Sequence, residues 1–397
     1  MERIYFDNAS TTNLNAEVLN AMLPVMTDNF GNSESVHSFG RDAQNLVDTA
    51  RDTIAETINA KSNEIYFTSS GSEANTWAII GIAMANRDKG NHIITSKIEH
   101  VSVLNACAYL EKNGFDVTYL DVDKNGFIRF DKLLNEIRPE TLMIAIMSAN
   151  NEIGTIQNIK AIARTAHEKN IIFMTDAVQL YGHMEIDVED MEIDAMTMSA
   201  HKLHGPKGVG CLYFKNGIKI DPIIFGGNQE RGKRGGTTNT PGIVGFARAS
   251  AIAHANMRIY NHKLKSLSEY FEAKLTESVE NVIINANIKQ KLPHIISVTF
   301  VGVDGESLMT KLDMNGIAVS MGSACTSNSL TVSHVISALG IQADNARSTL
   351  RFSFSTSNTF EEIDKAVAII KQAVEELRAY SSTYSMKIRK RKGDKNV

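Results

Sequence analysis

The chain has 397 residues, more than one hydrophobic core usually takes, so two domains are expected. With 43% apolar and 22% charged residues and a net charge of −4, it has the balance of an ordinary globular protein, which argues against a general nucleic-acid or anionic-membrane binder. No run approaches the about 18 apolar residues that a membrane span needs, and the start, Met1 to Thr12, lacks a charged-then-apolar signal pattern and reads as mature protein. Cys107, Cys211 and Cys325 form an odd, sparse set without a CxxC spacing, which fits free thiols in an intracellular, cytoplasmic protein and neither a disulfide framework nor a zinc site.

In chain order, Arg41 to Ala60 places Leu46, Val47, Ala50, Ile54 and Ile58 at helical spacing. Ile65 to Phe67 reads as a strand, followed by a helix from Ser72 to Met84 entered through Ser69, Ser70 and Gly71. Further strands are expected at His92–Thr95, Val117–Leu120, Leu142–Met147, Ile171–Met174, Ala195–Met198 and Val209–Phe214, with helical stretches between several of them. This alternation predicts a mainly parallel sheet covered by helices. After about Pro241 comes a long helical region, and from Pro293 the pattern reads strand, helix, strand, helix, strand, helix. The last helix carries Ile363, Ala366, Val367, Ile370, Val374 and Leu377 on one face. The fold class is therefore α/β. A large domain is expected over 13–258, a smaller α/β domain over 1–12 and 259–380, and a basic tail over 381–397. The run Lys387 to Lys392 reads either as a solvated terminus or as a docking patch for an acidic partner or tRNA.

The segment Met198 to Gly208 follows a predicted strand and combines Lys202 with Ser199, His201 and a Gly/Pro-rich turn. A cofactor-binding lysine needs a fixed backbone, a reachable amine and anion-binding neighbours; a lone lysine would be a surface residue. Asp176 follows another apolar strand, where a carboxylate can hold a pyridinium nitrogen or simply cap the next helix. Gly71 and Ser72 open a helix, where free N–H groups attract phosphate. His100 stands just past a strand, at the edge where open α/β sheets bind ligands. Taken together they suggest a pyridoxal-phosphate enzyme.

Cys325 lies in Met321 to Ser327, a segment of small residues suited to an exposed loop, and is the best candidate for a reactive thiol. Cys211 and Cys107 sit among apolar residues and read as core. Arg351 lies mid-strand between apolar residues and needs an anionic partner, which could be an amino-acid carboxylate or a structural Asp or Glu.

Several motifs carry a wider resemblance. They are Phe6 to Thr12, Phe30-Gly31-Asn32, Ile94 to His100, Asn150 to Gly154, Asp176 to Gln179, and His201-Lys202 with Gly205 to Gly208. Gly226-Gly227 with Gln229 to Arg231, Gly322 to Ser327 and Arg351 to Ser353 complete the set. From Ile4 to about Tyr380 the chain resembles the group I, NifS/IscS-type cysteine desulfurases within the fold-type I, class V aminotransferases. The short cysteine loop points to group I. The resemblance implies conversion of L-cysteine to alanine, with the sulfur carried on Cys325 as a persulfide. It casts Lys202 as the imine-forming lysine and the acid/base at the substrate Cα. His100 would stack on the cofactor ring, Asp176 pair with its nitrogen, and Gln179 and Asn151 contact its oxygen. Asn151 would also contact the substrate carboxylate, which Arg351 would take. Gly71, Ser72, Ser199 and His201 would hold the phosphate, and Thr237 would reach that of a neighbouring subunit in a homodimer. The expected partners are L-cysteine and a sulfur acceptor, either an iron–sulfur scaffold or a tRNA-thiolating enzyme. The Met1 to Tyr5 start, Lys97 to His100 and the Phe225 context look closer to Gram-positive enzymes of tRNA 2-thiouridine synthesis. Departures from the pattern are Ser33 for Pro, Ser72 for Thr, Asn75-Thr76 for Asp-Asn, Thr238 for Glu and Met321 for Ser. The competing readings are another class V enzyme, which would not need the Cys325 thiol, and a non-catalytic sulfur carrier, against which Lys202, Asp176 and His100 stand together.

Overall fold

The computed structural model describes residues 3–322 and 332–380. Its strands are β1 (Ile4–Tyr5), β2 (Ile65–Thr68), β3 (His92–Ser96), β4 (Asp116–Leu120), β5 (Thr141–Ala145) and β6 (Ile172–Asp176). They continue with β7 (Ala195–Ser199), β8 (Gly210–Phe214), β9 (Val282–Asn285), β10 (Ile295–Phe300), β11 (Ile317–Ala318) and β12 (Thr349–Ser353).

Among the described residues, seven strands form one sheet in the order β2-β8-β7-β6-β5-β3-β4. The pairs from β7 through β6, β5 and β3 to β4 are parallel. Only β8 runs against its neighbours, β2 and β7. Two reversals restore the direction, so β2 points the same way as β7. The carboxyl ends of β2, β7, β6, β5 and β3 thus meet along a single edge. The inner strands are buried along their whole length, as expected of strands covered on both faces by helices.

A second sheet, β12-β10-β9, is antiparallel. It packs against the helix Phe360–Tyr380 and has its own core. The helix Thr240–Ser278 serves both cores: Ile243, Phe246, Ala249 and Ala253 are buried with the large sheet, and Leu264, Leu267, Phe271 and Leu275 with the small one. Among the described residues no helix is long and apolar enough to cross a membrane.

The α/β architecture is the one the sequence predicts, and each of the seven strands from β2 to β8 lies within two residues of its expected bounds. The helix expected over Ser72–Met84 is not uniform. It runs as an α-helix over Gly71–Thr76, widens to a π-turn over Trp77–Gly81 and returns to α over Ile82–Ala85. The chain at Asp221 explains the change. Its N–H donates to the Gly81 carbonyl and its own carbonyl accepts the Trp77 indole N–H at 2.9 Å. A side chain at Gly81 would collide with that same carbonyl. A helical carbonyl engaged from outside its own ladder is one of the ordinary causes of a local irregularity. The helix Ala16–Thr27 and strands β1 and β9 were not anticipated. That helix leaves Leu19, Leu23 and Met26 exposed, so it shows no clear apolar stripe; β1 is two residues long.

Phe271 is fully buried and touches Phe6, Phe352 and Phe354, with ring centroids 6.4, 4.8 and 5.5 Å away. Phe271→Ala should destabilise the protein by about 3–5 kcal/mol through the cavity it leaves. A fall in the urea midpoint of unfolding, followed by circular dichroism, checks this.

Candidate active site

The shared sheet edge gathers side chains that are far apart in sequence. A cavity of about 200 Å³ there is lined by Ser10, Gly71, Ser72, Asn75, His100, Asn151, Asp176, Gln179, Ser199, His201, Lys202 and Arg351, among others. Each arrives for a local reason. Asp176 is the last residue of β6. Ser199 ends β7, and the single 3-10 turn Ala200–Lys202 aims Lys202 inward. His100 caps the helix Val101–Lys112.

Asp176 is not a helix cap. Its Oδ1 accepts from the Val178 N–H at 2.9 Å within a turn, and its Oδ2 accepts from Asn75 Nδ2 at 2.7 Å. Lys202 Nζ donates to the carbonyls of Ala9 and Ser10, both at 2.7 Å, and Gln179 Nε2 also donates to the Ala9 carbonyl. The His100 Nδ1 accepts from the Ser102 backbone N–H and meets the Ser102 hydroxyl at 2.7 Å, so the proton of the neutral ring belongs on Nε2. Burial lowers the His100 basicity, and the charges of Lys202 and His334 lower it further against the opposing pull of Asp176. His201 is pushed down to about 4 by burial and by the Lys202 and Lys207 charges. Both imidazoles are therefore neutral near pH 7.

Two features mark the cavity as a place for an anionic, planar group. The Ser199 hydroxyl is buried without a hydrogen-bond partner, a cost that a bound acceptor would remove. A Cβ at Gly71 would stand 2.8 Å from Val178 Cγ2, so glycine keeps the helix start open to close approach. Pyridoxal phosphate suits both: its phosphate matches Ser199, His201 and the first-turn N–H groups, and its ring nitrogen matches Asp176.

Arg351, 2% exposed on β12, has a structural anion, Asp7. Its Nη2 donates to Asp7 Oδ1 at 2.8 Å and to Ser10 Oγ, and its Nη1 donates to the Asn151 carbonyl. Its Nε is buried without a partner while the side chain lines the cavity. Asp7 thus supplies a structural carboxylate, while part of the Arg351 guanidinium still lines the cavity. Thr237 is not brought into this cavity. It is exposed and lines a neighbouring one with Glu230, Arg234 and Asn239. Cys325 and the basic run 387–392 lie outside the described residues. Cys107 and Cys211 are buried, and burial pushes each thiol up to about 12, as suits core cysteines. Asp7, Asn75 and Ser102 belong to the site and were not among the expected site residues. A search for the anion that buried Arg351 requires would have reached Asp7.

Residues 4–366 match the family described as aminotransferase class-V. The chain belongs to that family. It is 47% identical, over 96% of each chain, to a cysteine desulfurase IscS from Clostridium botulinum. It is likewise 47% identical to a cysteine desulfurase IscS from Methanosarcina thermophila, over 95% of this chain and 93% of the other. Among solved structures, a NifS-like protein superposes with a TM-score of 0.89 at 35% identity, covering 95% of this chain and 100% of the other. Another, SspA in complex with cysteine, gives a TM-score of 0.80 at 38% identity over 90% and 100% of the two chains.

Glu99 adjoins His100 in sequence and is 1% exposed. Burial pushes its carboxyl up to about 8, although the Ser96 hydroxyl and the Met147 N–H favour the charged form. The folded protein then holds a proton that the unfolded chain releases near 4.5. The resulting stability is complete below 4.5 and is lost as pH rises through about 8. In Glu99→Gln, the part of the stability-versus-pH slope due to this proton, about 1.4 kcal/mol per pH unit within that window, should vanish. Urea midpoints across the window measure it.

Proposed function

We propose that the chain is a pyridoxal-phosphate-dependent cysteine desulfurase, in which L-cysteine and the Cys325 thiol become L-alanine and a Cys325 persulfide. The observation that carries the reading is the convergence of Lys202, Asp176, His100 and the unpartnered Ser199 hydroxyl on one cavity at the carboxyl edge of the sheet. The relatives named as cysteine desulfurases, and a structural neighbour solved with cysteine, support the choice of substrate.

Pyridoxal phosphate, when bound, supplies an aldehyde that condenses with amines and a ring that takes up carbanion charge. Ser72, Ser199, His201 and the backbone at Gly71 hold its phosphate. Asp176 keeps the proton on its ring nitrogen, a role for which two donated hydrogen bonds already orient the carboxylate. Gln179 and Asn151 face its ring oxygen, and neutral His100 offers a flat ring to stack on it. Lys202 holds the cofactor at rest and moves the proton at the substrate Cα. Arg351 and Asn151 orient the substrate carboxylate, the arginine through its Nε edge. The Cys325 thiolate attacks the substrate sulfur: an S–S bond forms, the Cβ–S bond breaks, and the carbon skeleton leaves as alanine once protonated. The sulfur then passes to an acceptor protein of tRNA thiolation or iron–sulfur assembly. Exposed Thr237 reaches the phosphate held by a second subunit, so the active unit is a homodimer.

Incubation with L-cysteine and a reductant should yield alanine and sulfide in equal amounts, with a change in cofactor absorbance. A keto acid without sulfide would instead make the chain a transaminating member of its family. Lys202→Ala should lower kcat by at least roughly 100-fold, the scale of a lost acid/base group. Cys325→Ala should keep the cofactor spectrum but give no persulfide by mass spectrometry. Sulfur transfer at the wild-type rate by that variant would remove Cys325 from the mechanism.

A further inference from the structure

The cavity contains a polar residue that the mechanism has not used. Asn75 lies in the helix that starts at Gly71 and is 1% exposed. Its amide has four hydrogen-bonding sites, and three of them are engaged with defined polarity. The Thr197 hydroxyl donates to Asn75 Oδ1 at 2.7 Å. Asn75 Nδ2 donates to Asp176 Oδ2 at 2.7 Å and to the Ser102 hydroxyl oxygen at 3.0 Å. Because Ser102 Oγ accepts there, its own proton is free to be given to His100 Nδ1, 2.7 Å away.

Every donor in this chain therefore points one way. A carboxylate only accepts, so Asp176 fixes which end of the Asn75 amide faces it. That choice puts the carbonyl end on Thr197, which stands opposite Asp176 in the register of β6 and β7. The remaining N–H turns the Ser102 hydroxyl toward His100, and an accepting Nδ1 leaves the imidazole proton on Nε2. One amide thus aims the carboxylate expected under the ring nitrogen and selects the tautomer of the imidazole expected over the ring.

We infer that Asn75 is a shared positioning residue, one that holds Asp176 and His100 in mutually consistent hydrogen-bonding states toward a pyridine ring between them. The inference rests on pyridoxal phosphate occupying this cavity, as proposed above. Leucine would not be equivalent at this position. Close to asparagine in shape, it would offer neither the donors nor the acceptor that these contacts use. The other charged and titratable groups around Asp176 are Lys202, His100 and the buried carboxyl Glu99, with His334 beyond His100.

The test measures the dissociation constant of pyridoxal phosphate and the pH midpoint of its bound absorbance in the full-length wild type, Asn75→Ala and Asn75→Leu, with thermal melts reporting folding. Asn75→Ala should weaken cofactor binding about 10- to 100-fold, the range for losing a hydrogen bond to a charged group, and should move the pH midpoint. Asn75→Leu, close in shape but without hydrogen-bonding groups, should show the same weakening. Asn75→Ala affinity within twofold of wild type at an unchanged midpoint would overturn the inference. So would an Asn75→Leu affinity within twofold of wild type at an unchanged midpoint, which decides the matter even if the alanine variant fails to fold. A wild-type protein that does not bind pyridoxal phosphate would overturn the function proposed above together with this inference; binding by the wild type separates the two.

Discussion

The Arg351 guanidinium joins the two sheets through polar chemistry at the candidate site. It comes from β12 of the small sheet and is almost wholly buried, so it requires anionic and carbonyl partners. It finds Asp7 and Ser10 on the segment after β1 and the Asn151 carbonyl beyond β5 of the large sheet. The segment 7–10 is thereby pinned from one side by Arg351. From the other side the Lys202 amine and the Gln179 amide bind the carbonyls of Ala9 and Ser10. A site assembled from β5, β6, β7, the amino-terminal segment and the small sheet depends on this single cation having its partners in place.

The electrostatics of the cavity follow from burial more than from net charge. Two imidazoles, His100 and His201, lie close to the Lys202 amine and are held neutral by desolvation first and by that amine second. A neutral ring can stack on an aromatic cofactor and offer one N–H, whereas an imidazolium beside Lys202 would add a second cation. Nearby Glu99 is held toward its protonated form by burial and by the charge of Asp176. Asp176, with two donors already directed at it, is the carboxylate that remains available to face a cationic group.

Much of this was legible in the sequence because an open α/β sheet places its ligands at strand ends. Lys202, Asp176 and His100 each follow an apolar run by a few residues, and that position alone singles them out. Asn75 offers no such signal. A polar residue one turn into a helix reads as a solvated face, and only the three-dimensional meeting of Thr197, Asp176 and Ser102 shows that it is buried. Asp7 was hidden because its partner is 344 residues away. The π-turn at Trp77–Gly81 was equally out of reach, since its cause is a contact with Asp221 and not a helix-breaking residue. Thr237 was assigned to a phosphate site through family resemblance, and in the single chain it lies in a separate cavity.

The helix Thr240–Ser278 spends its first half in one core and its second half in the other. At about 1.5 Å per residue it is a rod close to 60 Å long, most of whose stabilisation comes from tertiary packing and little from its own propensity. If either core loosens, half of that rod loses its apolar cover and the cost passes along an uninterrupted hydrogen-bond ladder to the other half. Two cores that could have melted in succession are in this way tied into a shared cooperative unit.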